Sequence, residues 1–234
     1  MYREGITFDH DQPRVSVKAV MNGVYGWMTF ALALSGLCAW LVGTTPNLAK
    51  SLLTGGTFWV LIIAEFILVM VISSMINRMS AALATALFVA YSALNGITLG
   101  FIFLAYTKES IALTFFITAG TFAAMAVIGT VTKLDLSKLG SILFMALIGL
   151  LIASIVNIFM RSSTLYWICT YAGVLIFTGL TAYDVQNIKR LCYETEGEGF
   201  EVRRKIAIIG ALSLYLDFIN LMLYLLRIFG NRRD

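Results

Sequence analysis

Long apolar runs alternate with short polar breaks along the chain, and seven of the runs are long enough to cross a bilayer. A helix needs about 20 predominantly apolar residues to span the hydrocarbon. The runs are Tyr25–Val42, Phe58–Ile76, Ala81–Tyr106, Ile111–Val131, Leu139–Met160, Leu165–Tyr183 and Ile206–Phe229. Their links are short, apart from Gly43–Thr57 and Asp184–Lys205. Both prolines, Pro13 and Pro46, fall outside the runs, so no span is broken by proline. The pattern predicts an all-α integral membrane bundle of seven transmembrane helices, the seventh packed in the bundle interior. An N-terminal tail over 1–24 and a short basic tail over 230–234 flank the membrane domain, 25–229.

Composition agrees. The chain has 234 residues, of which 59% are hydrophobic and 13% charged, and a mean hydropathy of +0.87. Soluble domains carry about 25% charged residues, so a soluble fold is excluded. The net charge of +4 does not point to nucleic acid, because the basic residues sit at the ends of apolar runs, where lipid head groups and insertion topology place them. Arg3, Arg14, Lys18, Arg78, Lys133, Lys138 and the group from Lys189 to Lys205 fall on one side. The other side holds Lys50, Lys108, Arg161, Arg227, Arg232 and Arg233. The heavier side predicts a cytoplasmic N-terminus. The basic end RIFGNRRD fits this rule less well, since seven crossings put it outside, and a re-entrant last segment is the alternative.

The first twenty residues are polar and lack the apolar core of a cleaved signal. Cys38, Cys169 and Cys192 have no metal-binding spacing and read as small apolar fillers. The one histidine, His10, lies in the polar tail, which leaves the membrane without a histidine for zinc or for a catalytic dyad. GITLG, from Gly96 to Gly100, has the GxxxG spacing that lets two helix backbones approach. Packing within the bundle is the expected use, and homodimerisation is the minor alternative.

Three acids lie in or at the edge of a span: Glu65, Asp184 and Asp217. A carboxylate at the centre of a bilayer helix costs about 2.5–3.5 kcal/mol by insertion scales, so each needs a reason. On a helix, Asp217 shares its face with Gly210, Ser213, Asn220 and Tyr224, all small or polar. That stripe must face the bundle interior or water. Asp184 ends the sixth span, with Thr181, Gln186 and Asn187 close by. If its helix continues to Arg190, Asp184 lies about 9 Å inside that end. Glu65 has only apolar neighbours on its own helix, Leu61, Ile62, Leu68, Val69 and Ile72. It is either protonated or paired to a neighbouring helix.

GLTAYDVQNI at the end of the sixth span and ALSLYLDFINL in the seventh resemble the Bax inhibitor-1 family of membrane proteins. The resemblance extends to GITLG and to the seven-span layout, and so covers nearly the whole chain. It implies a calcium-leak channel with a pH-sensitive aspartate pair, here Asp184 and Asp217, as ion pathway and weak calcium site. It also implies a basic partner at the end of the second span, where Arg78 is the best match. Ser213, Asn220 and Glu65 are the expected supporting polar groups. No tightly bound cofactor is expected; calcium is cargo, and the partners are the bilayer, calcium ions, protons and other membrane proteins. Calcium takes six to eight oxygen ligands, so two carboxylates with neutral oxygens and water form a weak site, which suits a leak. The compact length points to a bacterial cell membrane.

Two other classes compete. Intramembrane aspartyl proteases also carry Tyr-Asp in one span and an aspartate in the next. They have Gly-x-Gly before the second aspartate and a Pro-Ala-Leu turn beyond it. Here Leu214-Tyr215-Leu216 precedes Asp217 and no proline follows Pro46, so an enzyme is not expected. The other class is a non-transporting modulator acting through protein partners in stress or cell-death control. Glu194, Glu196, Glu198 and Glu201, between the two aspartate helices, read as a solvated loop.

Overall fold

The computed structural model describes residues 17–195 and 198–233. Eight helices follow one another: α1 (Val17–Thr44), α2 (Pro46–Leu52), α3 (Gly55–Met75), α4 (Ala81–Ala105), α5 (Lys108–Val131), α6 (Ser137–Met160), α7 (Ser163–Glu194) and α8 (Phe200–Phe229). All except α2 are long and apolar enough to cross a membrane, which gives the seven expected spans. The short α2 lies in the 43–57 link, with Pro46 in its first turn, where a missing N–H costs nothing.

Local chemistry sets the helix ends. Ser80, Thr107 and Ser162 each accept a hydrogen bond from the amide three residues on, satisfying a donor that the first turn leaves free. Arg161 closes α6 in the left-handed region at φ 51°. Helical structure begins at Val17, with Val20 and Val24 buried, so the tail expected over 1–24 is shorter than foreseen. His10, Arg3 and Arg14 lie outside the described residues.

The helices are not equivalent. In the most apolar stretch of α8, 67% is buried, against 6% for α3 and for α6. α8 packs on α1, α4, α5 and α7, whereas α3 rests on α4 and α2, and α6 on α7. The seventh span is therefore the central post, buried on nearly every side; even Leu212 and Leu226, opposite its polar stripe, are covered by protein.

GITLG brings α4 onto α1. A methyl group at Gly96 would stand 2.6 Å from the Ser35 carbonyl oxygen, and one at Gly100 would stand 2.9 Å from Val42. The two backbones touch, which is the use of small residues in membrane helix packing. This is packing within the bundle, as the spacing predicted.

α8 crosses completely. At its start, Glu201 Oε1 accepts a hydrogen bond from the Ala81 amide, the first residue of α4, at 2.5 Å. Beyond its end, Arg232 pairs with Tyr106, just after α4, and the Arg233 amide donates to the Ala105 carbonyl at 3.0 Å. α4 and α8 thus begin together and end together, which rules out the re-entrant alternative. Glu201 is also more than part of a solvated loop, because it serves the α4 N-terminus.

Candidate functional site

The deepest acid is Asp217. Only 4% of it is exposed, and its Oδ2 has no hydrogen-bond partner. Such an atom in an apolar interior carries the full desolvation penalty unless a proton, an ion or water answers it.

Asp184 sits across the α7–α8 interface. These helices run antiparallel: Gly210 lies against Ile188, and Gly173 against the Tyr224 ring. That register sets Asp184 level with Ser213, so Asp217 lies about one turn, ~5 Å, further into the bundle. The two helices therefore bring the sequence-predicted aspartates together, staggered by one turn.

α7 runs on to Glu194, well past the end expected at Tyr183, so Asp184 lies about 15 Å from its helix end rather than 9 Å. The extension grips the α5–α6 link. Gln186 accepts from the Leu136 amide and donates to the Leu134 carbonyl, both at 2.8 Å. Lys189 Nζ donates to the Thr130 carbonyl at 2.9 Å, and Arg190 donates to Ser137 Oγ at 2.8 Å. These cations are held by the link, and the ion pair found among the described residues is Arg190 with Glu194 at 3.9 Å.

Arg78 stands exposed in the turn after α3, on the edge of the bundle that touches α4. It makes no ion pair with either aspartate, so the structure does not bring this expected partner to the pair. Asn220 donates to the Leu216 carbonyl of its own helix at 2.8 Å. Tyr224 stacks on Phe177 at 5.9 Å, with the Arg227 guanidinium 4.9 Å over its ring. Of the expected polar stripe, Ser213 thus lies level with Asp184, while Asn220 and Tyr224 have local partners.

Fully buried threonines lie on the two helices that flank α8: Thr114 and Thr118 on α5, Thr170 and Thr181 on α7. Thr114 Oγ1 lacks a hydrogen-bond partner, like Asp217 Oδ2. Among the described residues no third acidic, histidine or cysteine group gathers with the aspartates to make a metal cluster.

Glu65 belongs to a different network. Its Oε1 accepts from Thr98 Oγ1 at 2.7 Å, and its Oε2 from Asn95 Nδ2 at 3.1 Å. Asn95 Oδ1 lies 2.9 Å from the Tyr215 hydroxyl, which also lies 2.7 Å from Ser35 Oγ. The phenol has one proton, so it donates to one of these at a time. The chain of contacts links α3, α4, α8 and α1, on the side of α8 opposite Asp217, since residues two apart on a helix point about 200° apart. Glu65 therefore does not join the aspartates' polar face. Its own-helix neighbours gave no sign of these partners; the signal was Asn95, just before GITLG, and Thr98 within it.

Seven apolar helices, one of them a central post with a buried, unpartnered carboxyl, define a multi-pass membrane protein with a polar interior. The chain belongs to the Bax inhibitor-1 family: the family profile described as "Inhibitor of apoptosis-promoting Bax1" matches residues 17–234. It is similar to the inner membrane protein YbhL of Escherichia coli K12, 50% identical over 223 residues, 95% of each chain. A protein of Borreliella burgdorferi is 46% identical over 212 residues, 90% of this chain and 91% of that one. One of Deinococcus radiodurans is 41% identical over 218 residues, 93% and 92%. With YbhL so similar over the full length, this chain is a multi-pass inner-membrane protein.

Proposed function

We propose that the protein is a pH-sensitive calcium leak path in which Asp184 and Asp217 share a proton that closes the route. The observation that carries the reading is the unpartnered Oδ2 of Asp217, buried at the centre of the bundle about one turn from the level of Asp184. Two carboxylates this close in a medium of low dielectric repel strongly when both are charged. They therefore bind protons as a unit. One shared proton leaves a short polar contact and a neutralised path. Losing it leaves two negative charges that only a cation can offset.

Calcium fits this demand through its charge and its preference for oxygen. The pair supplies carboxylate oxygens, and Ser213 and Thr181, level with Asp184 and Asp217 in the α7–α8 register, are neutral ones. Such a site holds calcium weakly, which lets the ion leave again. Arg78 has no part in the closed state, because it stands exposed in its turn. The continuous helix through Leu214–Leu216 supports a leak path over a protease, which needs loosened backbone for its substrate.

The test is calcium flux into liposomes holding the pure protein, measured across pH. Wild type is expected to leak more as pH rises, and Asp184→Asn and Asp217→Asn to lose that dependence. Unchanged flux and pH dependence in both variants would overturn the reading. Absence of flux from pure wild-type protein, with a membrane partner that co-purifies, would replace it with the modulator role.

A further inference from the structure

An apolar groove opens on the membrane face between α1 and α5. α1 packs on α4 and α8, and α5 packs on α7 and α8, so a fissure remains between them with α8 as its floor. Two adjoining cavities of about 320 and 470 Å³ share Leu32, Gly36, Phe115 and Phe218 in their walls. Each is the size of a small-molecule site, 300–1,000 Å³, and both lie within the spanning helices.

One end of this groove is basic. Lys108, at the start of α5, lines the first cavity, as does Phe103. Arg233 donates from Nη1 to the Phe103 carbonyl at 3.0 Å, which holds its guanidinium beside a residue of that cavity's wall. The backbone pairing of 231–233 with 105–107 holds it there, with Arg232 alongside. Glu109 is the acidic neighbour in the first turn of α5, but it does not line the groove. An apolar slot with Lys108 in its wall and Arg233 beside it, both at helix-end depth, is complementary to a lipid with a negative head.

We propose that this groove binds one acyl chain of an anionic phospholipid, with its phosphate held by Lys108 and Arg233. This gives the C-terminal arginines, on the face that the positive-inside rule disfavours for them, a ligand. Arg233 is suited to the task, since its planar fork grips phosphate while one N–H stays on the Phe103 carbonyl.

The test is native mass spectrometry of the full-length protein in detergent with equal amounts of phosphatidylglycerol and phosphatidylethanolamine. Wild type is expected to retain phosphatidylglycerol preferentially, by about fivefold for each basic residue in contact. Lys108→Ala with Arg233→Ala is expected to erase the preference. Gly36→Leu is expected to lower retention of both lipids, and a side chain at Gly36 meets nothing within 4 Å of its Cβ, so the fold tolerates it. Equal retention of the two lipids by wild type would overturn the proposal, as would a preference that survives the double substitution. If Gly36→Leu instead breaks a dimer of the protein, the groove is a contact between copies and the lipid assignment fails.

Discussion

Thr98 donates its hydroxyl hydrogen to Glu65 at 2.7 Å, joining α4 to α3. Among the described residues α3 has few other anchors, since it packs chiefly on α4, with the short α2 beside it. Asn95 gives the same carboxyl a second bond. Hydrogen bonds between membrane helices are each worth about 0.6 kcal/mol and reach about 1.7. Glu65→Ala is therefore expected to lower stability by about 1–3 kcal/mol, and Glu65→Gln by less, because its amide oxygen still accepts from Thr98. Thermal unfolding in detergent checks this; an alanine variant as stable as wild type would count against the role.

Gly96 has no room for a side chain against Ser35, whereas Gly120 meets nothing within 4 Å. Gly96→Val is expected to push α1 from α4 and to cost about 1–3 kcal/mol or more, the range for overpacking. Gly120→Ala is expected to leave the unfolding temperature nearly unchanged. The contrast between the two variants, measured side by side, is the check.

Because α4 and α8 start and finish together, the C-terminus lies on the face opposite the start of α1. A tag after Asp234 is expected to be reached by impermeant protease only from the face where an N-terminal tag is protected. Both tags cut from the same face would contradict a complete seventh crossing.

Asp135, in the α5–α6 link outside the membrane helices, accepts a hydrogen bond from the Ser137 amide at the start of α6 at 2.9 Å. Bonds from Ser137 hold its carboxyl below the ordinary value of 3.8, with Arg190 and Lys138 adding to the effect. A carboxyl with a lowered folded value binds fewer protons folded than unfolded in that range. Its contribution is present above the unfolded value and is lost as pH falls through the folded one. The group is fully exposed, so the effect is small. Asp135→Ala is expected to unfold at a slightly lower temperature at neutral pH, with the gap closing below pH 3.8. A gap that stays constant with pH would show the charge to be irrelevant.

Much of this protein was legible along the chain. The seven spans follow from run length, because in lipid each helix must satisfy its own backbone polar groups, and that is a property of one segment at a time. Asp217 was legible too, since Ser213 and Asn220 share its face on the same helix. The extension of α7 was hidden, because Gln186, Lys189 and Arg190 read as the polar end of a span until the α5–α6 link is seen in their grip.

Pairing between helices was decided elsewhere. Glu65 looked friendless because Asn95 and Thr98 lie thirty residues away on α4, and Arg78 looked like a partner that the bundle keeps at its edge. The sequence by itself determined how many times the chain crosses and which helix carries a buried acid, since those depend on each segment's own solvent balance. Only the tertiary structure decided which acid has hydrogen-bond donors and which is left open, because that depends on which faces of different helices meet.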